Sequence, residues 1–377
     1  MATTELAGKR AKEESISFVD ADVHPHFRQG LRDLMPYLSD AWRKRVGLGA
    51  AESWTKGLPA SEFTLPTNRL YLHTKGALRL DAVGPDGSPP ASDPKLVREQ
   101  LLDRFNISAA VLIGGNMFGL GGVPDADLAA ALATAYNDYM LDTWLPVDSR
   151  YKLALYVAPQ DPVLAAKEID RLGERPGVVA VYLPLINILM GNRHFYPVYE
   201  AATRHGLPVM VHPNSIDGQL VAGARMVGIP SYYIEWHAGL STIFMANAAS
   251  LVCEGVYERF PGLKTVFCEG GLSWVPHLMW RLDKNWKALR DEVPWLKRRP
   301  SEYMLEHMRF STQPIEEPER PEYLLQILEM MHAERTVIFS SDFPHWDADD
   351  PFWALAKLPD QLKRRIAHET ARELFGL

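Results

Sequence analysis

The sequence predicts an α/β protein whose strands close into a (β/α)8 barrel, and three observations support this. Short apolar runs alternate with longer stretches of helical pattern. Eight such strand-and-helix units follow one another along 377 residues, and most of the strand candidates are apolar throughout rather than at every second position. A strand that is apolar on both faces needs cover on both faces, which parallel strands obtain from the helices of right-handed crossovers. Eight repeats fit a closed barrel, with an open doubly wound sheet as the competing arrangement.

Each element follows in order. "SFVDADV" from Ser17 is strand one, and a helix from about Pro94 leads into strand two, "SAAVLIGG". The Ala-rich "DADLAAALATAYNDYMLDTW" is a helix with Asp125 placed to cap it. "YKLALYVA" precedes the helix "PVLAAKEIDRL", and "GVVAVYLPL" precedes "FYPVYEAATRHG". Strand five, "LPVMVH", comes before the long helix "STIFMANAASLVCEGVYERF". "KTVFCEGG" is followed by "WVPHLMWRLD", "MRFSTQP" by "PEYLLQILEMMH", and "RTVIFSSD" by the C-terminal helices. Residues 31–93 are too long for a plain loop and read as a cap-like insertion after strand one, with Trp54, Phe63 and Tyr71 available to cover a ring or to form the cap's own core. The expected organisation is a flexible tail over 1–16 and one barrel domain over 17–377.

Composition narrows the function. A formal charge of -7 and the lack of a Lys/Arg cluster argue against nucleic acid as partner. No apolar run is long enough to span a bilayer. The polar start "MATTELAGKRAKEES" has no signal-peptide core, and two cysteines, Cys253 and Cys268, make no disulfide framework. A cytoplasmic protein is expected, with a small molecule as substrate.

Barrel enzymes carry their chemistry at the carboxyl ends of the strands. There the sequence puts Asp22, His24 and His26 after strand one, His212 after strand five, Glu269 after strand six, and Asp342 after strand eight with His345 just beyond. Imidazole and carboxylate donors suit Zn²⁺, Mn²⁺ or Fe²⁺, and a ligand carboxylate such as Asp342 can also take a proton from metal-bound water. Each residue has a plainer alternative: His24 and His26 as surface histidines, His212 as a core histidine, Asp342 as a helix cap, Glu269 as a buried structural acid. His237, in the long stretch after strand five, is a candidate for substrate contact or catalysis, and His345 for substrate binding. "IGGNMFGLGG" is Gly-rich but lacks the G-K-[ST] of a phosphate loop, so it reads as a loop bending close to substrate. "EEPER" reads as a solvated helix start.

"DADVHPHF", "VMVHP", "GVYERFPGLKTVFCEGG", "WVPHLMWRLD" and "VIFSSDFPH" together resemble the amidohydrolase-related family of the amidohydrolase superfamily. That family holds hydrolases beside aminocarboxymuconate semialdehyde and γ-resorcylate decarboxylases. The resemblance implies a distorted, metal-bearing barrel, with the strand-one HxH at His24 and His26, the strand-five ligand at His212 and the strand-eight aspartate at Asp342. It also implies that Asp22 orients a ligand or binds metal itself, as in members with an acid-x-His variant. Where many members carry histidine in an H-G-G pattern, this chain has Glu269-Gly270-Gly271, and strand four lacks the lysine that bridges two metals in many dinuclear relatives.

The leading expectation is therefore a metal-dependent hydrolase or non-oxidative decarboxylase of a small carboxylated, cyclic substrate. It would use one divalent Zn, Mn or Fe ion, with room for a second at Glu269, and Asp342, Glu269 and His237 would move protons. The alternative is a dinuclear Fe/Mn oxygenase on the same scaffold. A non-catalytic subunit supporting a paralogue is a third reading. The family implies a homo-oligomer or a complex with a paralogue.

Overall fold

The alternating pattern resolves into a closed parallel sheet. In the computed structural model, which describes residues 16–46, 78–213 and 232–377, eight strands neighbour one another in chain order. They are β1 (Phe18–Val23), β2 (Ile107–Leu112), β3 (Tyr151–Tyr156), β4 (Val178–Tyr182), β5 (Val209–Val211), β6 (Thr265–Phe267), β7 (Met308–Ser311) and β8 (Val337–Ile338). Each runs parallel to the next. The ring closes between β1 and the chain that leaves β8. Ala21 N donates to Phe339 O at 3.0 Å, Asp342 N to Asp22 O at 3.0 Å, and His24 N to Phe343 O at 2.8 Å.

Helices α1 (Ala126–Thr143), α2 (Pro162–Leu172), α3 (Tyr196–Arg204), α4 (Ser241–Cys253), α5 (Trp274–Leu289) and α6 (Pro321–Met330) follow β2 to β7 in turn. Asp125 does cap α1, its carboxylate accepting from Leu128 N at 3.1 Å. Every residue of β1 and of β4 is buried; β4 is apolar up to its closing Tyr182, whereas β1 buries two acids, Asp20 and Asp22, among its apolar residues. Aromatic side chains of adjacent strands fill the interior: the Tyr156 and Tyr182 rings lie 4.4 Å apart, and those of Phe267 and Phe310 lie 5.7 Å apart and stacked. Among the described residues, no helix is long and apolar enough to cross a membrane.

Two expectations need amendment. The "EEPER" acids are not merely solvated: the Glu316 carboxylate accepts from Leu272 N and Ser273 N at 2.8 to 3.1 Å and so satisfies the amino end of α5. The strand read from Arg335 begins two residues later, because Ala333–Thr336 is a helical turn. Of the insertion, the described parts are short helices at Gly30–Tyr37, Asp40–Arg45 and Leu80–Ala82. Trp54, Phe63, Tyr71, the first 15 residues and 214–231 lie outside the described residues.

Buried Asn137 ties α1 to β3. Its amide accepts from Tyr156 N and donates to Tyr156 O, both at 2.9 Å, and also donates to Glu168 at 2.8 Å. An Asn137→Ala variant removes the side-chain partner of both Tyr156 backbone groups in a dry interior. Chemical denaturation should show a loss of about 2–4 kcal/mol; a loss within error would mean that those groups find other partners.

Candidate metal centre

The site is built at the closure. Asp22 sits in β1, His24 directly after it, His212 directly after β5, and Asp342 after β8. The β1–β8 hydrogen bonds place Asp22, His24 and Asp342 side by side, and β5 brings His212 from across the barrel mouth. One donor atom from each of these four buried residues lies within 4.8 Å of the others. His24 Nε2 is 2.7 Å from Asp342 Oδ1 and 3.3 Å from Asp22 Oδ1. His212 Nε2 is 3.4 Å from Asp22 Oδ2 and 4.0 Å from Asp342 Oδ1.

Both imidazoles are aimed by backbone carbonyls. His24 Nδ1 donates to Ile113 O at 2.8 Å, and His212 Nδ1 donates to Pro213 O at 2.5 Å. A carbonyl only accepts, so each Nδ1 carries the proton and each neutral ring turns its Nε2 lone pair toward the cluster, where His24 Nε2 accepts a hydrogen bond from the raised Asp342 carboxyl in its protonated form. Burial reinforces that state, pulling His24 well below the ordinary histidine value and His212 down to about 4. It works oppositely on the acids. Burial, then the charges of Asp342 and Glu269, push Asp22 well above the usual carboxylate range, and burial raises Asp342. Among the described residues, both Asp22 oxygens, His212 Nε2 and Asp342 Oδ2 are buried without a hydrogen-bond partner. Unsatisfied donors of this kind, O and N together, fit a divalent first-row ion.

Around this core stand the other candidates. His345 Nδ1 donates to Asp342 Oδ1 at 2.7 Å. Burial would lower His345, but the Asp342 charge and hydrogen bond prevail and raise it to about 9. Glu269 Oε2 is 3.2 Å from His212 Nε2. Glu269 and Asp342 both hold left-handed backbone, with φ of 60° and 61°. That conformation costs a non-glycine residue of the order of 1 kcal/mol or more and concentrates at functional positions. His237, on the short helix Tyr233–Ala238, reaches Glu269 Oε1 and Asp347 Oδ2, both at 3.3 Å. Burial opposes its protonation, yet contacts with Asp347 and Glu269 raise it to about 10.

His26 stands outside the gathered group, so the strand-one pair that meets His212 and Asp342 is Asp22 and His24, not His24 and His26. β1 ends at Val23 and His26 N donates to Ala91 O, so strand alternation does not extend to residue 26. Its ring lies against Gly115, where a Cβ would come within 2.7 Å of His26 Nε2. Burial, with His345 and His24 nearby, pulls it down to about 3.

The amidohydrolase family profile matches residues 19–377. The chain belongs to the amidohydrolase family. Among curated relatives of this amidohydrolase is the γ-resorcylate decarboxylase of Polaromonas sp. (strain JS666 / ATCC BAA-500), 23% identical over 294 residues, 74% of this chain and 86% of that protein. Solved structures share the fold. The 5-carboxyvanillate decarboxylase of Sphingomonas paucimobilis has a TM-score of 0.67 at 22% identity, over 96% of this chain and 100% of that one. A dihydroxybenzoic acid decarboxylase of Polaromonas sp. JS666, with bound manganese and the inhibitor 2-nitroresorcinol, has a TM-score of 0.63 at 18% identity, over 96% and 97%.

Two residues of the amidohydrolase site escape a reading by strand ends. Phe118 lies on the 3-10 segment Gly115–Gly122 and stacks on His212, 4.6 Å away with planes 9° apart. It falls within the Gly-rich stretch read as a loop near substrate, where a lone Phe among glycines was the available signal. Asp347 stands five positions beyond Asp342, in "DFPHWD", and only its company with His345 could have marked it.

Asp20, fully buried, accepts from Ser341 N at 2.9 Å and Asp22 N at 3.2 Å, and burial raises it from 3.8 to about 7. A raised acid favours the folded state only while protonated, so its contribution fades as pH climbs from about 4 through 7. In metal-free protein, Asp20→Asn should gain stability over wild type between pH 5 and pH 8, up to about 4 kcal/mol in full. Thermal unfolding measured across that range checks it, and a gain that shrinks with pH contradicts it.

Proposed function

We propose that this amidohydrolase is a non-oxidative decarboxylase of a small carboxylated aromatic, working with a divalent ion, manganese being the first candidate. The observation that carries the reading is the buried Asp22–His24–His212–Asp342 cluster in a chain related over most of its length to a γ-resorcylate decarboxylase. In this reading those four residues hold the ion. Two of their separations, 3.3 and 3.4 Å, fit the edges of about 3–3.5 Å that spokes of 2.0–2.2 Å produce. Bound there, the ion would act as a Lewis acid toward the substrate's carboxylate and adjacent oxygen.

The remaining work falls to the chain. Exchange of a ring carboxylate for hydrogen releases CO₂ and requires one proton at the carbon that loses it. The His345 Nδ1–H···Asp342 Oδ1 pair holds such a proton beside the cluster. Phe118, flat against His212, supplies an apolar wall for a ring. Trp346 and Tyr233, joined by a 3.3 Å hydrogen bond, stand beside His237 at the rim. The described parts of the 31–93 insertion lie against this side of the barrel: Leu78 bridges His345, Arg79 N donates to Pro344 O, and Ala91 O accepts from His26 N. We take these described parts as a cover that helps exclude water. The relatives described above are decarboxylases, and the oxygenase alternative finds no support among them.

Two experiments test this reading. Manganese-loaded enzyme offered a panel of hydroxylated benzoates should release CO₂ and the matching phenol, without consuming oxygen. Oxygen uptake in step with turnover, or hydrolysis of amide or lactone analogues alone, would overturn it. His212→Ala should lose its manganese and lower kcat/KM by more than about 100-fold, because ligand loss outweighs the loss of an outer hydrogen bond. Full metal content with full activity would remove His212 from the site.

A further inference from the structure

Glu269 faces two ways. Its side chain is only 9% exposed, and its carboxylate is divided between two imidazoles. One oxygen turns to His212 at 3.2 Å, the other to His237 at 3.3 Å. Beyond it, His237 Nε2 also stands 3.3 Å from Asp347 Oδ2. One donor atom each from His237, Glu269 and Asp347 lies within 4.8 Å of the others, forming a second group next to the first.

The spacing is that of ligands around a centre, not of a hydrogen-bonded pair. A charge-assisted N–H···O bond closes to about 2.7–2.9 Å, as His345 does on Asp342 at 2.7 Å. His237 Nε2 instead lies 3.3 Å from both carboxylates, outside that range and equally far from each. Spokes of about 2.0–2.1 Å in a tetrahedral site give edges of about 3.3 Å. The three donors are also held in place from outside. Gln313 Nε2 donates to Asp347 Oδ2 at 3.0 Å, Tyr233 stacks on the His237 ring with planes 22° apart, and the left-handed backbone at Glu269 turns its side chain between the two groups.

We propose that His237, Glu269 and Asp347 form a second divalent-cation site beside the first, with the Glu269 carboxylate shared between them. The proposal rests on the first cation lying among Asp22, His24, His212 and Asp342. The second site is shallower, its His237 and Asp347 side chains each 15% exposed, against at most 2% for the four inner residues. Among the described residues it has three protein donors where the inner site has four, so it takes the ion more weakly and leaves positions for water or for a substrate oxygen. Nitrogen and carboxylate oxygen without sulfur select Mn²⁺, Fe²⁺ or Zn²⁺. Glu269 occupies the position where the resemblance places histidine, and a carboxylate can join two ions where a single imidazole nitrogen cannot.

The test is a manganese count on the full chain. Protein stripped with a chelator is brought to equilibrium by dialysis against manganese chloride, and bound ion is measured by elemental analysis. Wild type should take two ions per chain and give the electron paramagnetic resonance spectrum of a coupled pair. Asp347→Asn and His237→Ala should each keep one ion, with an isolated-ion spectrum and unchanged circular dichroism. One ion in wild type overturns the second site and leaves the first standing. No ion in wild type removes both. Two ions retained in both folded variants would place the second elsewhere and overturn the assignment. The wild-type count decides the matter even where a variant fails to fold.

Discussion

Closure of the barrel between β1 and the chain leaving β8 is the constraint on which the site depends. Three backbone hydrogen bonds, Ala21 N to Phe339 O, Asp342 N to Asp22 O and His24 N to Phe343 O, join segments more than 300 residues apart. The same residues supply three of the four inner donors. Backbone pairing at one edge of the sheet therefore fixes the separations of Asp22, His24 and Asp342, and β5 needs to add only His212. A slip of one residue would turn these side chains to the other face of the sheet and dismantle the group.

That geometry is costly without a cation. Two carboxyls and two imidazoles sit at most 2% exposed, and the acids are raised while the imidazoles are lowered, so each group is driven toward its neutral form. Backbone carbonyls at Ile113 and Pro213 hold the rings with Nε2 inward, and Glu269 and Asp342 keep left-handed backbone. Evolution towards stability alone would favour apolar packing there. A bound divalent ion offsets the repulsion between the acids and uses the imidazole lone pairs, which ties the folding cost to the chemistry proposed.

Much of this was legible in the sequence because it follows from local pattern. Continuous apolar runs marked the strands, and polar residues ending such runs marked Asp22, His24, His212, Glu269 and Asp342. His26 shows where the rule stops: strand geometry ends at Val23, so the two-residue period that placed Asp22 and His24 together did not extend to it. Asp347 and Phe118 were not legible, since both lie on irregular segments whose direction is set by tertiary contacts, Gln313 for one and the barrel mouth for the other. His237 was visible as a histidine, but its approach to Glu269 depends on the short helix Tyr233–Ala238, which propensity does not aim. Glu316 likewise looked like part of a solvated charge run until α5 presented its unpaired N–H groups.

The most direct test of the central claim is the anomalous scattering of manganese in a crystal of the metal-loaded protein, collected on both sides of its absorption edge. The account predicts a strong peak bounded by Asp22, His24 Nε2, His212 Nε2 and Asp342. No peak among those atoms, with manganese found only on the surface or nowhere, would contradict it.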